Sequence, residues 1–233
     1  MENIVVIEIK YTVDGNENII YPVVLLDDQN MVLVDCGFYG FLPLIEKAFE
    51  EKGLDINQLT HIVITHHDLD HMGSLKALKQ KYPKAKVVAS EIEEPYISGD
   101  RKSLRLEQAE KRQETLPDEQ KAFGLAFMEM IRKTEPCAVD NKVKADDAFD
   151  WCGGCRIIAT PGHTPGHISL YLKNHKTLIT GDAAVLVKGK LAIANPQYAL
   201  DLKAAKKSKK EMLDYHADTV ICYHGGIWKE ENI

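Results

Sequence analysis

Four times along this chain a short run rich in β-branched residues ends, and the next polar side chains are histidine or aspartate. The run His61–Thr65 gives way to His66-His67-Asp68-Leu69-Asp70-His71. A second run ends near Thr160 and opens into Pro161-Gly162-His163-Thr164-Pro165-Gly166-His167. A third ends at Thr180 before Gly181-Asp182, and a fourth at Tyr223 before His224-Gly225-Gly226. Side chains at strand ends converge at the rim of a sheet, the place where open α/β folds hold their ligands. A solvated polar loop accounts for any one of these exits, but not for four that deliver the same chemistry. Imidazole and carboxylate are the ligand set shared by Zn, Fe and Mn.

The periodicity around these exits reads as a mixed α/β chain. Ile4–Val13, Ile20–Asp27 and Met31–Asp35 are antiparallel strands, separated by turns at Asp14-Gly15-Asn16 and Asp28-Gln29-Asn30. Leu42, Ile45, Ala48 and Phe49 share one helix face, and Gly53 closes that helix. Strand His61–Thr65, helix Ser74–Tyr82 stopped by Pro83, and strand Ala85–Ala89 form a βαβ unit. After Cys137 the strands are Ala138–Val143, Arg156–Ala159, His167–Leu172, Thr177–Thr180, Val185–Val187, Leu191–Ile193 and Thr219–Tyr223, with one helix over Asp201–Tyr215. The whole of 1–233 is expected to form one domain whose two halves loosely resemble each other.

Between about Glu91 and Glu135 the composition changes, with Lys, Arg, Glu and Gln crowded together and no strand signal. This reads as a helical insertion whose second helix starts near Pro117. Phe123, Ala126, Phe127, Met130 and Ile131 fall at helical spacing on one face. That face is either the wall of a substrate-selecting cap over the site or simple core packing.

Charge and cysteine usage narrow the partners. Twenty-nine Lys plus Arg against thirty-five Asp plus Glu leave a net charge of −6, so no global field holds a nucleic-acid backbone or an anionic membrane. The longest apolar runs fall far short of the ~18–20 residues of a spanning helix. Glu2, Glu8 and Lys10 break any secretory leader pattern. Five cysteines, an odd number, suit reduced thiols better than a disulfide framework. The expectation is a cytoplasmic enzyme acting on a small molecule. Cys152-Gly153-Gly154-Cys155 reads as a hairpin tip, and Lys203, Lys206, Lys207, Lys209 and Lys210 as a solvated helix face.

In order and strand context, HHDLDH, the PGHTPGH turn, the Gly-Asp pair and the final HGG resemble the metal-binding motifs of the metallo-β-lactamase-fold hydrolase superfamily, over about Val5 to Gly226. Val34-Asp35-Cys36-Gly37 resembles that family's early Asp-x-Gly motif, whose Asp supports the metal loop from behind. The resemblance implies a four-layer αβ/βα sandwich of two mixed β-sheets flanked by helices. It also implies two divalent transition-metal ions, one held by His66, Asp68 and His163, the other by Asp70, His71 and His224, with Asp182 bridging. The family usually carries His where Asp68 stands. A carboxylate there adds harder oxygen ligation and moves preference from Zn, the first expectation, toward Fe or Mn. His167 is expected to support its turn and His67 to point away from the metals, while His61, His175 and His216 fit no pattern.

The implied chemistry is hydrolysis of an ester, lactone or thioester by a hydroxide that two metals share. Asp70 would receive the proton. Tyr198, in Asn195-Pro196-Gln197-Tyr198, would either stabilise an oxyanion or leaving group or anchor a neighbouring helix. The alternatives are phosphodiester cleavage and an iron-dependent oxidoreductase similar to persulfide dioxygenases, which would need one metal rather than two.

Overall fold

A computed structural model of the chain describes residues 3–13 and 15–229; Glu2 and Asp14, used in the leader and turn readings, lie outside them. The fold opens with β1 (Asn3–Val6), β2 (Ile9–Val13), β3 (Asn16–Ile20), β4 (Val23–Leu26) and β5 (Met31–Val34). There follow α1 (Leu42–Glu51), β6 (His61–Ile64), α2 (Leu69–Met72), α3 (Leu75–Lys81) and β7 (Lys86–Ser90). The segment α4 (Glu94–Ile97), α5 (Leu104–Gln113) and α6 (Asp118–Arg132) leads to β8 (Asn141–Val143), β9 (Ala148–Phe149), β10 (Cys155–Ala159), β11 (Ile168–Leu172) and β12 (Thr177–Ile179). The chain then forms β13 (Val185–Val187), β14 (Lys190–Ala192), α7 (Leu202–Leu213), β15 (Thr219–Cys222) and β16 (Gly226–Lys229).

Two mixed sheets carry the architecture. The first runs β1-β4-β5-β6-β7-β8, antiparallel as far as β5 and parallel from β5 to β8. The second runs β16-β15-β12-β11-β10-β9, with β12 and β15 parallel and the other neighbours antiparallel. Period-two alternation decides which layer each side chain serves. Val23, Leu25, Val32, Val34, Val63 and Val88 of the first sheet meet Ile157, Leu170, Ile179 and Ile221 of the second. Their neighbours Val24, Leu33, Ile62, Ile64 and Val87 face the other way, onto Ile45 and Phe49 of α1 and Leu75 and Leu78 of α3. On the far side of the second sheet, Ile158, Leu178 and Val220 pack with Met212 of α7. Three apolar clusters thus mark the three interfaces of a helix, sheet, sheet, helix sandwich, as expected. Phe49 is fully buried in the outer interface, and truncating it to Ala costs about 3–5 kcal/mol.

Several local expectations change. Ile4–Val13 is two strands, because β1 pairs with β4 while β2 turns out to pair with β3. Ile20–Asp27 breaks at Tyr21-Pro22, where Pro22 has no N–H to give a ladder and its carbonyl instead accepts from Ile7 N at 3.0 Å. Gly53 does close α1, with a φ of 67°. Leu54 N bonds Phe49 O and Gly53 N bonds Glu50 O, both at 2.9 Å, the two bonds of a Schellman cap. The short edge strands β9 and β16 escape the sequence reading. The apolar face of α6 is also turned differently: Met128 and Ile131 are buried, whereas Phe123 is 67% exposed and Ala126 is exposed. This helix packs on α5 rather than on a sheet, and a helix partner covers a narrower stripe. No helix among the described residues is long and apolar enough to cross a membrane.

Candidate metal centre

Every expected strand exit delivers its side chain to one place. His66 lies just past β6, Asp68 is the N-cap residue of α2, and Asp70 and His71 lie in that single turn of helix. His163 comes from the turn between β10 and β11, Asp182 from the end of β12, and His224 from the end of β15. Gly181 makes the third exit possible. Its φ is 50°, and a Cβ there would lie 2.8 Å from both Thr65 Oγ1 and His167 Nε2.

The imidazoles are aimed from behind. Buried Asp35 accepts from Thr65 N at 2.9 Å and lies 2.8 Å from both Thr65 Oγ1 and His71 Nδ1. Thr65 Oγ1 is in turn 3.0 Å from His66 Nδ1. With both Nδ1 atoms donating, His66 and His71 present Nε2 lone pairs to the centre. Asp182 faces two ways: Oδ1 is 3.4 Å from His71 Nε2 and 3.5 Å from His224 Nε2, while Oδ2 is 3.3 Å from His163 Nε2. Asp70 Oδ2 is 3.1 Å from His224 Nε2. The ligand atoms fall into three overlapping groups, each within 4.8 Å: His66, Asp68 and His163; His66, His71 and Asp182; Asp70, His71 and His224.

The charges are strongly coupled. Burial alone would raise the Asp182 carboxyl, but His224, His71 and His163 outweigh it and hold the group well below the ordinary carboxylate range. Burial would likewise lower His71, yet Asp70, Asp35 and Asp182 push it well above its ordinary value. Burial, reinforced by His71, drives His66 well below.

Three residues that the motifs do not announce complete the site. Arg105 of α5, 2% exposed, donates from Nε to both Asp68 oxygens at 3.0 and 3.1 Å and from Nη2 to Oδ2 at 2.7 Å. Glu93, fully buried just before α4, ties the two His loops together. It accepts from His67 N at 3.0 Å, Thr164 Oγ1 at 2.8 Å and Gly166 N at 2.7 Å, and pairs with His67 Nδ1. Tyr223 donates to the Asp70 carbonyl at 2.6 Å and accepts from Gly37 N at 3.0 Å.

The donor set fits a divalent metal. Buried His66 Nε2, His71 Nε2 and Asp182 Oδ1 have no hydrogen-bond partner among the described residues, although all three face the centre. Leaving such atoms unpaired costs about 1–3 kcal/mol each, which a bound cation removes. With every imidazole counted as neutral, as a metal ligand is, the four carboxylates Asp35, Asp68, Asp70 and Asp182 stand against one guanidinium, a formal surplus of three negative charges. A cation is the natural complement.

Comparison with known proteins agrees with this chemistry. The family model described as the metallo-beta-lactamase superfamily matches residues 17–224. The chain belongs to the metallo-beta-lactamase superfamily. It is 31% identical over 210 residues to the uncharacterized protein YobT of Bacillus subtilis (strain 168), spanning 86% of this chain and 81% of that one. It is 28% identical over 163 residues to hydroxyacylglutathione hydrolase GloC of Haemophilus influenzae, covering 70% of this chain and 64% of that enzyme. The metallo-beta-lactamase family protein TTHA1429 of Thermus thermophilus shares the fold, with a TM-score of 0.73 and 21% identity over 97% of this chain and 74% of that one.

As a superfamily hydrolase, the chain places its remaining histidines outside the three ligand groups. His167 accepts from Asp182 N through Nε2 at 3.0 Å and lies 2.8 Å from Thr160 Oγ1 through Nδ1, so neither nitrogen is left over. Burial and His163 push it down to about 3. His67 stacks on Tyr96 with centroids 4.7 Å apart. His61 packs against Trp151, and His216 is exposed. Cys152 is a buried thiol in the turn joining β9 to β10, and Cys155 is the buried first residue of β10. Lys203, Lys206, Lys207 and Lys210 are exposed, whereas Lys209 donates to the Leu191 carbonyl at 2.6 Å. Tyr198 lines the cavity in front of the centre, its ring 5.9 Å from Phe127 and 5.6 Å from the Arg105 guanidinium.

Proposed function

We propose that this chain hydrolyses a neutral ester, lactone or thioester with an apolar acyl group, using two divalent ions held by His66, Asp68, His163, Asp70, His71, His224 and the bridging Asp182. One observation carries the reading: the ligand groups open onto a cavity of about 440 Å³ whose walls include Phe38, Leu69, Phe127, Met130, Val185 and Leu186. A phosphodiester or the carboxylates of a glutathione group would call for cationic walls. No lysine lines the cavity among its described residues, and Arg105 is engaged by Asp68.

Divalent ions held by these residues would supply a water activated near neutral pH and a Lewis acid for the acyl oxygen. The chain's own groups do the rest. Asp70, with its side chain 19% exposed, accepts the proton of the attacking water and passes it to solvent. Tyr198 directs its phenol toward the developing oxyanion or the leaving group. Phe127 and Met130 of α6 make the segment at about 91–135 a cap that selects the acyl group by apolar contact. Zn is the first expectation for the metal, with Fe or Mn favoured by the carboxylate Asp68.

The test combines metal analysis with a substrate panel. Protein purified without chelator and then saturated should hold two equivalents, and should cleave acyl substrates faster than bis-(4-nitrophenyl) phosphate, with activity lost on stripping and regained on metal addition. Preferred phosphodiester cleavage, or saturation at one iron per chain, overturns the proposal.

A further inference from the structure

The two halves of the centre stand in different charge environments. Asp70 has His71 and His224 as its ion-pair partners among the described residues. Asp68 instead faces a buried guanidinium. Beyond the contacts to both Asp68 oxygens, Arg105 Nη2 lies 3.2 Å from His163 Nε2, and Nη1 donates to the Tyr198 carbonyl and to Gln108 Oε1. All three guanidinium nitrogens are engaged and the side chain is 2% exposed, so the charge cannot swing out to water. Asp68 Oδ2 is also 2.9 Å from His163 Nε2 and 3.4 Å from His66 Nε2. A cation entering this half must use the oxygen and the imidazole nitrogen that Arg105 already touches. His163 Nε2, moreover, cannot both donate to Asp68 and accept from Arg105. Even the α2 N-cap position shows the same commitment, since the Asp68 side chain makes no capping bond there.

We propose that Arg105 makes the two halves unequal: Asp68 and Arg105 act together as a neutral unit where a single imidazole would serve, and the His66, Asp68, His163 half takes up a divalent ion more weakly than the Asp70, His71, His224 half. The inference rests on the reading of the centre as a metal site. Arg105 is a positioning residue that acts through Asp68. Because α5 delivers it, the helical insertion sets how fully the centre is loaded. The physical cause is direct: a fixed positive charge repels an incoming dication at short range, and burial removes the screening that would weaken this at a surface.

The experiment measures binding rather than turnover. Chelator-stripped protein, checked for folding by circular dichroism, is titrated with Co²⁺ and with Zn²⁺ against a chromophoric chelator, and the Co²⁺ visible spectrum reports coordination at each step. The wild-type chain should bind two ions in steps about 10–100-fold apart, the range over which groups behind a metal ligand tune affinity. Arg105→Met should strengthen the weaker step by a similar factor and leave the stronger one within about threefold. His163→Ala should delete the weaker step alone. Asp68→His/Arg105→Met removes both charges, so it should fold and bring the two steps together even if Arg105→Met, with Asp68 left unpaired, does not fold. Two equal wild-type steps, or an Arg105→Met protein whose weaker step is unchanged or lost, overturns the inequality while leaving the metal centre intact. A folded wild-type chain that binds neither ion overturns the metal reading as well.

Discussion

Replacing Glu93 with Gln tests whether one buried carboxylate holds the two ligand loops in register. Oε1 serves Thr164 Oγ1 and Gly166 N, and Oε2 serves His67 N and Nδ1. Burial alone would raise this carboxyl, but His67, Thr164 and Gly166 outweigh it and keep the group ionised below the ordinary range. Glutamine offers a single oxygen. With that oxygen kept on the Thr164 and Gly166 side, the new NH₂ group confronts the His67 N–H, while the His67 ring can switch tautomer and accept. The loss is one charge-assisted bond plus one unsatisfied buried N–H, together about 3 kcal/mol. For a chain of this length that corresponds to roughly 6–12 °C in Tm. Differential scanning calorimetry of the metal-free protein reads the stability, and chelator competition reads the centre, where affinity should fall about 10–100-fold as His66 and His163 lose their common strap. Glu93→Ala, which strips every acceptor, should cost more. A Glu93→Gln protein melting within a degree of wild type with unchanged metal affinity would refute the reasoning.

Three further expectations follow from the same geometry. Phe127→Ala should change relative rates among acyl-chain lengths, one methylene being worth about 1–3 kcal/mol in such a pocket, with metal content intact; a uniform loss on every substrate would make the residue mere packing. Asp182→Ala should abolish activity and lower metal occupancy, while Asp68→His alone should destabilise by about 3–5 kcal/mol because it strands buried Arg105, most of which Asp68→His/Arg105→Met should restore; denaturant unfolding of the three variants decides. His167 is held near 3 when folded and near 6.5 when unfolded, so the unfolded chain binds the extra proton. The His167 contribution to the stability of the metal-free protein should therefore fall as the pH drops below about 6.5, by about 2 kcal/mol at pH 5, and the difference between wild type and His167→Gln in urea unfolding curves should show that slope.

The four strand exits are legible in the sequence because both of their signals are local: a β-branched run, then ligand-type side chains. Asp35 is legible through the likeness of Val34-Asp35-Cys36-Gly37 to the family's Asp-x-Gly motif. Arg105 and Glu93 are not, since Arg105 meets Asp68 thirty-seven residues away and Glu93 meets His67 twenty-six residues away. A buried aspartate in a histidine's place calls for a counter-charge, but Arg101, Arg105 and Arg112 all lie in the same polar segment, and no local rule selects among them. The α6 face misleads for a related reason: helical spacing tells which residues share a side, and only the partner decides how much of that side is covered. Phe127 and Met130 line the cavity while Phe123 stands in solvent.

Tyr223 sits just past the end of β15 in the second sheet, yet its hydroxyl is bonded to Asp70 of α2 and to Gly37 in the loop after β5, both on the side of the first sheet. The candidate ligands divide along the same seam, His66 through His71 from one sheet and His163, Asp182 and His224 from the other. Neither half of the chain owns a complete set of candidate ligands, so the proposed centre would come into being only when the two sheets dock. Capture of a metal there would then be a late event in folding, dependent on contacts far apart in sequence and correspondingly slow to form. An ion that binds the docked state alone stabilises it by about 2.7 kcal/mol at a hundredfold excess over Kd. The metal would act as a latch on assembly as much as a reagent, and scarcity of metal during synthesis would show first as slow maturation of the fold.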